Sequence, residues 1–149
     1  MVALETWIGL GSLAMAIMFV ALMFSFYFFL IGPEGKGPEV STDPNALLIQ
    51  IISISGAPSL ILAGTVLGVA RRPRGKAPSI ILIITGVLLA VAMSFLTNIV
   101  PRISYPYLVS GIDFVPITFI AAGIGIIGCG LFILKKVKNL RSNLGTDFE

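Results

Sequence analysis

The sequence predicts an all-α integral membrane protein: one domain of four transmembrane helices, with both termini on the inner side of the membrane. Three observations predict it. Apolar residues make up 56% of the 149 and charged residues only 11%, where soluble domains carry about 25%; mean hydropathy is +1.03. Four uncharged runs are each long enough for a helix to cross a hydrocarbon core of ~30 Å. The basic residues gather at alternate ends of those runs. Arg71, Arg72, Arg74, Lys76, Lys135, Lys136, Lys138 and Arg141 fall on one side of a four-span layout, which leaves only Lys36 and Arg102 on the other. Positive charge is retained on the cytoplasmic side, so four spans give an N-in, C-in arrangement, whereas three or five would scatter the bias. The expected location is the cell membrane.

The first span covers residues 7–31. It lacks a positive leader and is far longer than a signal-peptide apolar run of about 7–15 residues, so it reads as a retained span. Its helix would measure roughly 37 Å, more than the core needs, and should tilt or project. Trp7 suits the inner headgroup level. Phe24, Phe26, Tyr27, Phe28 and Phe29 crowd the far end around nearly the whole circumference, more aromatic surface than an interfacial belt requires, which favours a contact with protein or lipid.

Residues 32–44 form an outer loop: three glycines and three prolines in this stretch exclude a helix. Asp43-Pro44 reads as an N-cap followed by proline at the first helical position. The second span, 45–70, carries Pro58 near its middle. Proline cannot donate to the Ile54 carbonyl, so a kink is expected there, with Ser53, Ser55 and Ser59 near enough to satisfy the loosened backbone. Gly64 and Gly68 form a GxxxG pair that permits close approach of another helix. The basic inner turn 71–76 follows, its Arg71, Arg72, Arg74 and Lys76 acting as topology anchors.

The third span, 77–100, places Gly86, Ala90, Ser94 and Asn98 at intervals of four, a stripe of small and polar side chains for helix packing. The outer loop 101–113 holds Tyr105 and Tyr107, suited to the interfacial aromatic belt. The fourth span, 114–134, has Pro116 in its first turn, where the missing donor costs little, and a second small stripe at Ala121, Gly125 and Cys129. The inner tail 135–149 begins with two more anchors, Lys135 and Lys136. Its basic cluster could bind an anionic lipid, although retention of topology explains it more simply.

Within spans so bounded there is no Asp, Glu, Lys, Arg or His, and the chain has no histidine and a single cysteine. Proton-coupled antiporters use an intramembrane ionisable group, haem ligation in membrane cytochromes uses histidine, thiol oxidoreductases need paired cysteines, and a serine nucleophile needs a base. None of these is available in the spans, so no catalytic, cofactor-binding or metal-binding residue is expected in this chain. Cys129 reads as a small apolar filler in its stripe. The net charge of +3 is topological in its distribution and does not indicate a nucleic-acid partner. The expected partners are other integral-membrane subunits and membrane lipids. Polar residues around the proline (Gln50, Ser53, Ser55, Gly56 and Ser59) keep a second reading open, in which an interrupted helix centred on Pro58 passes a neutral solute or gas.

The four-span layout, the Gly/Pro/acidic loop 32–44, the basic turn 71–76 and isoleucine-rich runs such as residues 80–84 resemble the small multi-span accessory subunits of archaeal ammonia monooxygenase. In that family copper-binding catalysis belongs to other subunits. The resemblance implies a supporting role and transfers no functional residue.

Overall fold

The computed structural model describes residues 4–33, 36–38, 43–69, 76–103 and 110–145. These form helix α1 (Leu4–Ile31), α2 (Pro44–Ile51), a π-helical turn (Ile52–Gly56) that runs on into α3 (Ala57–Val69), α4 (Ala77–Ile99) with a terminal 3-10 turn (Val100–Arg102), and α5 (Ser110–Gly145). No strand occurs among the described residues. Four helices are long and apolar enough to cross a membrane: Leu4–Ile31, Pro44–Val69, Ala77–Arg102 and Gly111–Asn139. Such a set marks a multi-pass membrane protein.

The helices alternate in direction. Ser12 meets Ser59 and Phe19 meets Gly56, so α1 and α3 are antiparallel. Gly9 abuts Ile81 and Phe24 abuts Phe95, so α1 and α4 are parallel. Gly130 meets Ser79 and Gly86 meets Gly123, so α4 and α5 are antiparallel. The most extensive packing is α4 on α5, followed by α1 on α3 and on α4. At the loop end the bundle closes where Leu48 of α2 reaches Gly111 of α5. The opposite end gathers the start of α1, the end of α3, the start of α4 and the Lys135–Lys138 region of α5; it is called the basic end below.

A common period explains why these apolar helices find one another. Buried residues of α1 fall at Gly9, Ser12, Ala16, Phe19, Met23, Phe26 and Leu30, in alternating steps of three and four. Those of α4 follow the same rule through Ser79, Leu82, Gly86, Leu89, Met93 and Leu96. On α5 it runs Ile112, Pro116, Phe119, Gly123, Ile126, Gly130, Ile133 and Val137. A repeat of seven with two inward positions is the seam of side-by-side helices crossing at a shallow angle. Isoleucine and valine on the remaining faces stay exposed, Val91 and Ile61 among them. That is the pattern of a bundle whose outer solvent is lipid.

Local chemistry sets the boundaries. Asp43 caps α2, its carboxylate accepting from the Asn45 N–H at 3.0 Å, with Pro44 in the first turn. Gly32 ends α1 in the left-handed region, φ 64°, donating to the Phe28 carbonyl at 3.2 Å. A Cβ at Gly32 would collide with the backbone of Gly37, which itself donates to the Ile31 carbonyl.

Two spans differ from the sequence expectation. Helix α1 starts by Leu4, which draws Glu5 into it. Helix α5 starts at Ser110, inside the expected outer loop, and continues to Gly145, through most of the expected tail. Pro116 therefore lies well inside the helix and not in its first turn.

Candidate functional site and assembly faces

The residues around Pro58 are the first candidate. The backbone does not break at the proline. Five residues, Ile52–Gly56, adopt π geometry immediately before it, and the Ala57 N–H reaches back to the Ile52 carbonyl. Widening the turn is one way to accommodate a proline ring that would crowd the carbonyl four residues earlier. The Ser55 hydroxyl donates to the Ile51 carbonyl at 2.9 Å. Ser59 does not serve its own helix: its hydroxyl donates to the Ser12 carbonyl at 3.1 Å, and the Ser12 hydroxyl donates back to the Ser59 carbonyl at 2.9 Å. Both serines are fully buried. Ser53 and Gln50 face outward. Gly56 is wedged between rings, since an added Cβ would lie 2.9 Å from both Phe119 Cζ and Phe19 Cε2, and those two rings meet tilted by 34° with centroids 4.3 Å apart. Ser59 is thus engaged with Ser12 between helices and Ser55 within its own helix.

The second candidate is the set of small-residue stripes. Gly86 lies at the closest approach of α4 and α5. A Cβ there would fall 2.6 Å from the Gly123 carbonyl oxygen, and one on Gly123 would fall 2.8 Å from the Gly86 oxygen and 3.3 Å from Ala90 Cβ. Ser94 and Asn98, farther along the expected stripe, are exposed and bond back to their own helix, at Ala90 and Ser94 respectively. Steps of four in an α-helix advance roughly 40° beyond a full turn, so a stripe of period four leaves the interface within about two steps. The α5 glycines that contact α4 are Gly123 and Gly130, both buried. Ala121 and Gly125 are exposed and Cys129 is half-buried with a free thiol. Gly64, Gly68, Gly125 and Gly128 have open space where a Cβ would be, with nothing within 4 Å among the described residues.

The aromatic excess of α1 divides. Phe26 and Tyr27 turn inward, while Phe28 and Phe29 are exposed. Phe24 packs against Phe95 at 5.9 Å. With Phe95 and the 83–92 face of α4 it lines an apolar cavity of about 720 Å³ that opens outward. The Tyr27 hydroxyl donates to the Ile112 carbonyl at 2.7 Å, both residues being fully buried. That carbonyl is the one Pro116, lacking an N–H, leaves without a helical partner. The phenol of α1 supplies the donor that α5 lacks.

The charged residues separate by position. Lys76, Lys135 and Lys136 are exposed at the basic end; Arg71, Arg72 and Arg74 lie outside the described residues. Glu5 was not singled out from the sequence. It is buried, 8% exposed, and its Oε2 has no hydrogen-bond partner among the described residues. The inventory of spans without ionisable groups therefore needs correction at Glu5 and, because α5 begins earlier than expected, at Asp113. Extending the period of α1 backward from Ser12 and Gly9 would have found Glu5. Glu5 lies in the first turn, where the helix terminus favours a carboxylate. Among the described residues no three His, Cys, Asp or Glu side chains converge as metal ligands would. No family model, no curated protein and no solved structure matches the chain.

Proposed function

We propose that this chain is a non-catalytic structural subunit that braces a larger membrane assembly, seated in the cell membrane with its termini and its basic end on the cytoplasmic side. The observation that carries the reading is the outward glycine face of α3. Gly64 and Gly68 sit about one turn apart with nothing within 4 Å of either Cβ position. Glycine in a helix interior weakens it by roughly 0.5–1 kcal/mol relative to alanine, and among the described residues no neighbour uses the space. Between membrane helices such space allows a partner backbone to approach. The exposed Ala121, Gly125 and Gly128 give α5 a second face of the same kind. Phe28 and Phe29 add exposed aromatic surface at the other end of the bundle. The orientation rests on the charge bias, with Lys76, Lys135 and Lys136 exposed at one end. The layout shared with accessory subunits of archaeal ammonia monooxygenase makes that copper enzyme the first assembly to test.

The channel reading centred on Pro58 and Gln50 gains the π turn, a local geometry frequent at functional sites. It stands second because Ser12, Ser55 and Ser59 all spend their hydroxyls on backbone carbonyls. Extraction in mild detergent followed by native electrophoresis and mass spectrometry of the band tests the first reading. The chain should migrate within a large complex, with copper-binding subunits present, and Gly64→Leu with Gly68→Leu should release it without loss of helicity. Migration only as a small homo-oligomer would sink the proposal. Neutral-solute flux through liposomes holding the chain alone, abolished by Gln50→Leu, would put the channel first.

A further inference from the structure

We infer that the basic end carries a binding site for a single anionic phospholipid, held between α4 and α5. A cavity of about 460 Å³ opens there, lined by Lys76, Leu131, Leu134, Lys135 and Lys138. Its lining has two chemistries in a definite order along α5. Leu131, 53% exposed, and half-buried Leu134 come first, on the bilayer side; Lys135 and Lys138 follow one turn nearer the membrane surface. Lys76 reaches the same cavity from the residue just before α4. Three lysines, two from α5 and one from the residue leading into α4, thus line a space whose deeper wall is hydrocarbon. The three lysines are exposed, and no carboxylate among the described residues lines the cavity with them.

Retention of topology requires only that positive charge lie on one side of the membrane. It does not require lysines distant in sequence to converge on one cavity with a leucine wall. Convergence is what a phosphate-bearing headgroup requires, because lysine binds phosphate as a point charge and several must approach from different directions. Basic pockets between transmembrane helices on the cytoplasmic side suit anionic headgroups. The leucines select a lipid over a free anion, since an acyl chain descending from the headgroup would cover Leu131, whereas inorganic phosphate would leave it bare.

The test uses the full chain in mixed micelles of phosphatidylglycerol and phosphatidylcholine in equal amounts, with retained lipids counted by native mass spectrometry. The expected result is one phosphatidylglycerol retained in preference to phosphatidylcholine. Each of Lys76→Gln, Lys135→Gln and Lys138→Gln should weaken retention about fivefold, the value of one basic residue at an anionic surface. Lys→Arg at the same positions should keep it within about twofold, which separates charge from folding. Lys136→Gln, a neighbouring lysine that does not line the cavity, should change retention less than about twofold. Equal loss in Lys136→Gln would show a diffuse surface field and overturn the site. Equal retention of both lipids, or full retention by the triple Gln variant, would overturn it as well. Displacement of the lipid by millimolar inorganic phosphate would assign the cavity to a free anion and overturn the lipid.

Discussion

Two seams of the bundle solve the same problem in opposite ways. Where α4 meets α5, side chains are absent: Gly86 and Gly123 bring backbone against backbone, and Gly130 repeats the arrangement beside Ser79 and Ile83. Where α1 meets α3, side chains are present and polar, and Ser12 and Ser59 each donate to the other's carbonyl. In lipid no hydrophobic force drives helices together, so close packing and interhelical hydrogen bonds must hold them. The first seam relies on packing, the second partly on hydrogen bonds. A dry backbone contact fails as soon as one atom is added. A hydrogen-bonded contact loses only one bond at a time.

The largest expected effect breaks the glycine seam. Gly86→Val should destabilise the chain by about 3 kcal/mol, the upper end for over-packing a tight site, because the new atoms meet the Gly123 carbonyl and the Ile127 backbone. Gly64→Val, the same change into open space, should stay within about 0.5 kcal/mol. Unfolding of both variants by denaturing detergent would measure the difference; equal losses would mean that backbone contact is not what holds α4 to α5.

A smaller effect sharpens the hydrogen-bonded side of the comparison. Tyr27→Phe should cost about 1.5 kcal/mol, near the maximum for a bond of this type in a membrane protein. It removes the phenol that donates to the Ile112 carbonyl, whose usual helical donor Pro116 cannot supply. Combining it with Pro116→Ala, which restores an N–H to α5, should recover most of the loss in the same titration. No recovery would disconnect the phenol from the proline.

The smallest effect concerns the serine pair. Ser12→Ala and Ser59→Ala should each cost about 0.6 kcal/mol, the average for such bonds. Each acceptor is a backbone carbonyl that survives truncation of its own side chain, so the two losses should add within about 0.5 kcal/mol in a double-mutant cycle. A larger coupling would mean that the two hydroxyls act as a unit.

The four apolar helices, the cap at Asp43-Pro44 and the glycine contact at Gly86 were legible in the sequence because each is a local signal: a run, a dipeptide, a missing side chain. The inward face of α5 was not. Two sets of small residues run along that helix, Ala121-Gly125-Cys129 at a constant step of four, and Gly123 with Gly130 one heptad apart. The regular spacing catches the eye, but only the heptad stays aligned with a neighbouring helix over several turns. Glu5 was hidden because the first span was drawn from Trp7, whereas the buried period of α1 runs back through Glu5. The π turn before Pro58 and the Tyr27–Ile112 bond depend on partners 5 and 85 positions away. A proline can be seen alone, but the group that answers it cannot.

The bond between Tyr27 and Ile112 has a bearing on how the bundle closes. Helix α1 holds the hydroxyl, and α5, which comes later in the chain, presents the oxygen that awaits it. Until those two meet, the opening turns of α5 keep a carbonyl without its usual helical donor, so that turn is satisfied only when α5 docks on α1. Closure of the bundle is thereby tied to the meeting of two residues 85 positions apart, and a variant lacking α5 would leave the Tyr27 hydroxyl without this acceptor.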